Sequence, residues 1–132
     1  MVGLDTNVLV RYLAQDDAKQ SALATRFIEG RLSAENPGFV SVVTLCEIAW
    51  VLAESYQADR KRIRDTVAGL LAAKQIVVER AELVWKTLRA WEGVPAEFSD
   101  VLIGQLAIAH GAEKTVTFDR TASRLPGFEL LA

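Results

Sequence analysis

Near the start of the sequence stands Val2-Gly3-Leu4-Asp5-Thr6-Asn7-Val8-Leu9, a short apolar run that ends at a carboxylate and continues into a helical pattern. A second run of this kind, Thr115-Val116-Thr117-Phe118-Asp119, lies near the other end of the chain. Each run predicts a β-strand followed directly by an aspartate. Because open parallel sheets bind ligands at the carboxyl ends of their strands, Asp5 and Asp119 are expected at a functional edge.

Short apolar runs alternate with amphipathic stretches along the 132 residues, which predicts an α/β fold with a mainly parallel sheet. Strands are predicted at residues 2–4, 39–40, 75–78, 115–118 and 128–131. Helices are predicted at residues 6–13, 17–31, 43–55, 59–73, 81–92 and 99–110, with a further helical turn at Arg120. Ser99 is the predicted cap of the last long helix. The length is sufficient for one domain with its own hydrophobic core.

Composition restricts the class of protein. A single cysteine, Cys46, excludes an intramolecular disulfide and disfavours a cysteine-based zinc site. No stretch approaches the roughly 20 apolar residues of a membrane span, and Asp5 and Asn7 stand where a secretory signal would be apolar. We therefore expect a soluble, cytoplasmic protein that does not associate with membranes.

The formal net charge of −2 disfavours a generally basic nucleic-acid-binding protein. Arg11 and Arg120 nevertheless follow the two acidic strand ends closely in sequence. A guanidinium group beside a carboxylate pocket is suited to holding phosphate oxygens, so these two arginines are candidate substrate-binding residues.

Two more carboxylates join Asp5 and Asp119 as candidates. Glu47 lies on the helix predicted at 43–55, and its neighbours one turn away are apolar. A lone carboxylate buried there costs several kcal/mol unless it is paired, protonated or bound to metal. Asp100 lies in the first turn of the last long helix, where the helix dipole favours a negative charge. Helix capping explains Asp5 or Asp119 equally well when each is considered alone.

Considered as a set, the four carboxylates predict a cation site. Two carboxylates about 5 Å apart repel each other by roughly 3 kcal/mol at an effective dielectric constant near 20. A bound cation is the simplest way to hold such groups together, and an all-oxygen site suits Mg²⁺ or Mn²⁺.

The segments that carry these residues resemble PIN-domain ribonucleases, and most closely the VapC-type toxins of bacterial type II toxin–antitoxin modules. The resemblance rests on residues 3–12, 41–47, 99–100 and 117–120, and it covers nearly the whole chain. It implies one PIN domain over residues 1–132. It also implies a three-layer α/β/α fold, in which helices flank a central parallel sheet of about five short strands.

The resemblance further implies a Mg²⁺- or Mn²⁺-dependent endoribonuclease that hydrolyses RNA phosphodiester bonds with a metal-activated water. As partners it implies a homodimer and an inhibitory cognate antitoxin that forms a heteromeric complex with the toxin. The catalytic and metal-binding positions carried over are Asp5, Glu47, Asp100 and Asp119. The supporting positions carried over are Thr6, Asn7 and Thr117.

Alternative functions remain open at this point. One is a catalytically silent PIN scaffold that serves as a protein- or RNA-binding module. An aspartyl-phosphate phosphotransferase usually carries Asp-x-Asp, whereas Asn7 stands at the second position after Asp5. A phospho-receiver domain requires a lysine just after a late strand, and Lys114 precedes one instead.

Overall fold

The computed structural model describes residues 1–132 and contains six α-helices, five β-strands and one 3-10 helix. The helices are α1 (Thr6–Ala14), α2 (Ala18–Gly30), α3 (Val42–Tyr56), α4 (Arg60–Ala72), α5 (Ala81–Trp91) and α6 (Phe98–Ala109). The strands are β1 (Val2–Gly3), β2 (Gly38–Val40), β3 (Ile76–Val78), β4 (Thr115–Thr117) and β5 (Phe128–Leu130), and the 3-10 helix covers Ala122–Arg124. The α/β class is confirmed. By its contacts the chain forms two compact units, Met1–Ala81 and Glu82–Ala132, here called the first and second unit.

The first unit contains a three-stranded parallel sheet with the strand order β1-β2-β3. Gly38 of β2 is in register with Val2 on one side and with Ile76 on the other. The helix pairs α1–α2 and α3–α4 connect successive strands, as parallel pairing requires. Several side chains of this unit are fully buried: Leu9, Ile28, Val40, Leu45, Ile48, Leu52 and Val67. Because the strands are parallel, α1 and α3 both begin at the carboxyl edge of the sheet.

Capping side chains set the helix starts of the first unit. Asp17 accepts a hydrogen bond from the Gln20 backbone N–H at 2.9 Å, and Asp59 accepts one from the Arg62 N–H at 2.9 Å. Ser41 accepts from the Thr44 N–H at 3.1 Å. Each of these bonds satisfies a donor that the first helical turn leaves unpaired. The predicted starts of α2, α3 and α4 therefore lie within one residue of the observed ones.

The second unit contains α5, α6 and a parallel pair of strands, β4 and β5, in which Thr115 is in register with Phe128. Trp91 fixes the connection between the two helices. Its indole Nε1 donates to the Ala96 carbonyl at 2.8 Å, and its ring packs edge-on against Phe98 with the centroids 5.7 Å apart. Both aromatic side chains are buried.

One predicted detail of the second unit is wrong. Helix α6 begins at Phe98 with Glu97 as its N-cap residue, so Ser99 lies inside the helix rather than capping it. The helical turn predicted at Arg120 is present: Arg120 and Thr121 form a turn that continues into the 3-10 helix at Ala122. Asp119 caps it, because its Oδ1 accepts the backbone N–H groups of Thr121 and Ala122.

The prediction of about five short parallel strands is confirmed. Their hydrogen bonds group them as three strands in the first unit and two in the second. The assignment of residues 1–132 to a single domain stays a prediction. No helix combines the length and the apolar character that crossing a membrane would require.

Replacing each of two helical glycines by alanine is expected to change the free energy of unfolding in opposite directions. A Cβ on Gly104 of α6 would overlap with Phe128 Cε1, so Gly104→Ala should lower the free energy of unfolding by about 1–3 kcal/mol. Gly69 of α4 has open space at the same position, and alanine favours helix, so Gly69→Ala should raise the free energy of unfolding by up to about 1 kcal/mol. Urea unfolding of both variants measures this. Equal effects would contradict the close packing at Gly104.

Candidate functional site

Asp5 occupies the N-cap position of α1, yet its side chain makes no capping hydrogen bond. Its backbone is extended, with φ −80° and ψ 156°, as is usual at this position. Asp17 and Asp59 stand at the same position of their helices and do cap them. The capping interpretation of Asp5 is therefore wrong, and its exposed carboxylate is available for another interaction.

Thr6 connects the start of α1 to Glu47 on α3. Its hydroxyl donates a 2.6 Å hydrogen bond to Glu47 Oε1, and Thr6 itself is buried. Because Thr6 directly follows Asp5, this bond brings the α3 carboxylate to the edge of the sheet where Asp5 lies. Glu47 keeps its second oxygen, Oε2, without a hydrogen bond.

The prediction that Glu47 lies on a buried apolar helix face is wrong. Glu47 is exposed, and so are its face neighbours Val43 (67%) and Trp50 (62%). Helix α3 buries a different side, which includes Leu45 and Ile48. Apolar residues occur on both sides of this helix, so periodicity alone could not identify the side that enters the core.

Glu79 is a residue of this edge that the sequence analysis missed. It follows β3, and its Oε1 accepts the Val42 N–H at 3.0 Å, across 37 positions of sequence. Glu79 therefore fixes the start of the helix that carries Glu47. The signal was present in the sequence, since Glu79 follows a short apolar run, as Asp5 does.

In the second unit, Asp100 and Asp119 each use one carboxylate oxygen locally. Asp100 Oδ2 accepts the Glu97 N–H at 3.3 Å, which stabilises the first turn of α6. Asp119 Oδ1 accepts the N–H groups of Thr121 at 2.8 Å and Ala122 at 3.3 Å. The other oxygen of each carboxylate makes no hydrogen bond, so local structural use leaves one oxygen free to bind a ligand.

The predicted supporting residues differ in what they contact. Thr6 holds Glu47, as described above. Thr117 accepts the Asp119 N–H on its Oγ1 at 3.0 Å and so fixes the backbone at that carboxylate. Asn7 is exposed on the first turn of α1. Two of these three polar residues therefore position a candidate carboxylate directly.

The two candidate arginines are in different environments. Arg11 donates from Nε to Gln20 at 2.7 Å and pairs through Nη1 with Asp16 at 3.4 Å, so its guanidinium is already engaged. Asp16 also accepts a 2.6 Å hydrogen bond from Tyr56, and that bond, together with Arg11, lowers the pKa of Asp16. Arg120 is exposed and forms no ion pair. Of the two, Arg120 is the one available to a phosphate.

Cys46 adjoins Glu47 in sequence but is not an activated nucleophile. Burial raises the pKa of its thiol, so the protonated form is favoured. A packing role is consistent with this environment.

The donor atoms of the first unit fit a hard divalent cation. No group of three or more His, Cys, Asp or Glu side chains is arranged to hold a metal ion. Mg²⁺, however, is commonly bound through one or two carboxylates, with water and substrate phosphate completing its shell. Asp5 and the free oxygen of Glu47 supply that number of ligands at one edge. The convergence of all four carboxylates stays a prediction.

A family model described as the PIN domain matches residues 2–127, nearly the whole chain. No curated protein matches the chain.

Proposed function

Since this chain belongs to the PIN-domain family, whose members are mostly metal-dependent nucleases, we propose that it is a Mg²⁺- or Mn²⁺-dependent endoribonuclease. We propose further that it acts as the toxin of a bacterial type II toxin–antitoxin system. The observation that supports nuclease activity most strongly is the arrangement at the edge of the first sheet. There the Asp5 side chain makes no capping bond, and the adjacent residue Thr6 donates a hydrogen bond to Glu47.

The proposed roles use the carboxylate oxygens that make no hydrogen bond within the protein. Asp5 and Asp100 would hold the cation directly, and Asp119 would hold it directly or through water. Glu47, held through Oε1 by Thr6, uses Oε2 to orient the attacking water or to bind a second ion. A bound Mg²⁺ or Mn²⁺ supplies Lewis acidity toward water and toward the phosphate oxygens.

Water rather than a side chain is the nucleophile in this proposal. It attacks phosphorus, the bond from phosphorus to the leaving oxygen breaks, and the protein keeps no covalent intermediate. The Cys46 thiol is held protonated, which agrees with this choice. The substrate class is single-stranded or looped RNA, because a cleavable phosphate must be accessible and its bases unstacked.

The proposed partners are a second copy of the chain and a cognate antitoxin. Helices α3 and α4 are the proposed dimer surface, and Val43 and Trp50 of α3 are exposed apolar side chains in the single chain. An antitoxin segment would cover the acidic site. An arginine in that segment would pair with carboxylates such as Asp5, because charge-assisted pairs of guanidinium and carboxylate are strong.

The test is to map RNA ends after induced expression of the wild-type chain and of Asp100→Asn. The wild type is expected to arrest growth and to produce new RNA ends that co-expression of the antitoxin suppresses. Asp100→Asn should do neither. Identical ends and identical growth for the two proteins would overturn the toxin proposal.

A catalytically silent PIN scaffold is the second candidate function. It is favoured by the local hydrogen bonds of Asp100 and Asp119, which give both residues a structural role without metal. Purified wild-type chain separates the two functions. A scaffold binds RNA or protein equally well with Mg²⁺ or EDTA and cleaves nothing, whereas the nuclease cleaves RNA only with the metal.

Thr6→Val is expected to lower RNA cleavage about 10- to 100-fold, because Glu47 loses the donor that orients it. The loss of one hydrogen bond should change the free energy of unfolding by only about 1 kcal/mol. Thr66→Val is the matched control, since the Thr66 hydroxyl donates to the Arg62 carbonyl within α4. Initial cleavage rates and urea unfolding measure the two effects. Equal rates for Thr6→Val and wild type would remove Thr6 from the site.

A further inference from the structure

Phe118 is the most exposed large apolar side chain of the protein, with 81% of its surface accessible. It follows β4 and directly precedes Asp119, so the Cα atoms of Phe118 and Asp119 are about 3.8 Å apart. A single exposed apolar residue needs no explanation by itself. The backbone on both sides of Phe118, however, is fixed by hydrogen bonds, and exposed apolar side chains lie near it.

Hydrogen bonds fix the backbone on both sides of Phe118. The Thr117 carbonyl accepts the Leu131 N–H at 2.8 Å, and the Thr117 hydroxyl accepts the Asp119 N–H at 3.0 Å. The Asp119 side chain is in turn held in place because its Oδ1 accepts the Thr121 backbone N–H at 2.8 Å. The exposed ring is therefore presented from a fixed position rather than from a free loop.

Val116 and Leu131 continue the apolar surface behind Phe118. Phe118 directly follows β4, and the bond from the Leu131 N–H to the Thr117 carbonyl continues the strand pairing up to it. Because side chains alternate along a strand, Val116 and Phe118 point to the same side. Val116 is in register with Glu129 of β5, two residues before Leu131. Val116 and Leu131 are both exposed. This side of the strand pair thus carries the exposed apolar side chains of Val116 and Leu131 beside the ion-paired Glu129, and it ends at Phe118, next to a candidate carboxylate.

The charges beside this face favour a polyanion. Arg120 and Arg124 are exposed and form no ion pair, whereas the nearby Lys114 is already paired with Glu129. An aromatic ring combined with unpaired guanidinium groups is how proteins bind single-stranded nucleic acid, through stacked bases and neutralised phosphates.

We propose that Phe118 stacks on one nucleobase of a single-stranded RNA and so positions the adjoining phosphate at Asp119. Arg120 and Arg124 bind the phosphates on either side of that nucleotide. The inference rests on the proposed ribonuclease function and identifies how the RNA is held there. Phe118 acts as a substrate-binding residue and takes no part in proton transfer.

The test measures binding of a labelled single-stranded oligoribonucleotide to the full chain in EDTA, so that nothing is cleaved. Phe118→Ala should weaken binding about tenfold, within the range known for loss of one base–aromatic stack. Phe118→Tyr keeps the ring and should bind within about twofold of wild type. Trp85→Ala, which removes an exposed aromatic ring from α5, is the control and should bind like wild type.

An oligonucleotide with abasic residues distinguishes stacking from a general loss of apolar surface. Wild type and Phe118→Ala should bind the fully abasic strand equally. Equal binding of the normal strand by these two proteins would overturn the inference, and so would an undiminished difference on the abasic strand. If Phe118→Ala instead changes the mass in light scattering and leaves RNA affinity unaltered, the face belongs to a second copy, and the inference is also overturned.

Cleavage with Mg²⁺ tests the proposed function separately. If wild type cleaves and Phe118→Ala has an unchanged KM, the stacking role fails while the nuclease function stands. If wild type binds RNA through Phe118 but does not cleave it with Mg²⁺, the nuclease function fails while the stacking role stands. The expected result is cleavage by wild type and a KM raised about tenfold in Phe118→Ala.

Discussion

Asp5→Asn is expected to lower Mg²⁺-dependent RNA hydrolysis about a hundred- to a thousandfold, with the thermal unfolding midpoint almost unchanged. The Asp5 carboxylate is exposed and makes no capping bond, so the fold does not depend on its charge. Asparagine keeps the size of the side chain and is itself a good N-cap residue. The substitution therefore removes a cation ligand while leaving α1 intact. Initial rates on a labelled RNA and thermal unfolding followed by circular dichroism measure the two effects.

Asp17→Asn is the matched control for this experiment. Asp17 has the same position at the start of α2, but its carboxylate caps the helix. Its replacement should leave cleavage within about twofold of wild type, because asparagine preserves the cap. Wild-type rates for Asp5→Asn would remove Asp5 from the site. Equal losses in both variants would show that the effect comes from the helix starts and not from a ligand.

The elements of the fold were predictable because their signals are local. Three helix starts are stabilised by a side chain that accepts the backbone N–H only three residues later in sequence: Asp17, Ser41 and Asp59. The short strands are marked in the same way by apolar runs bounded by polar residues. Ser99 was predicted as the cap of α6, but Glu97, two residues earlier, occupies the N-cap position.

The parts of the site that could not be predicted depend on contacts between distant residues. Nothing near Glu47 in sequence indicates that Thr6 donates to it from 41 positions away. The sequence made Arg11 a candidate for binding phosphate, but in the structure its guanidinium is bonded to Asp16 and Gln20. Likewise, which carboxylate oxygen stays without a hydrogen bond depends on which backbone N–H groups lie close to it in the folded chain. The sequence identifies the candidate residues, but it does not show which distant residues form hydrogen bonds or ion pairs with them.

The apolar character of α3 is the clearest example of this ambiguity. A helix with apolar residues on two sides reads as a core helix, and the predicted burial of Glu47 came from that interpretation. The structure leaves Val43 and Trp50 open to solvent in the single chain. An exposed apolar surface of this kind marks a protein contact more often than a defect of packing.

Trp50→Glu is accordingly expected to convert the proposed dimer into a monomer. Exposed tryptophans at the centre of an interface commonly contribute at least about 2 kcal/mol, so the dimer dissociation constant should rise roughly 30-fold or more. A buried charge at that position should increase the effect. Light scattering and sedimentation at micromolar concentration measure the mass of the wild type and of the variant.

Trp85→Glu is the control, because Trp85 is the other exposed tryptophan and lies on α5, outside the proposed dimer surface. It should keep the wild-type mass. A wild-type mass equal to one chain, or an equal loss of dimer in both variants, would contradict the assignment of the dimer surface to α3. Because Trp50 lies one turn from Glu47 on α3, the added carboxylate is also close to the candidate site, so only continued cleavage by the variant is informative about the site. A monomer that still cleaves RNA would show that each chain holds a complete site.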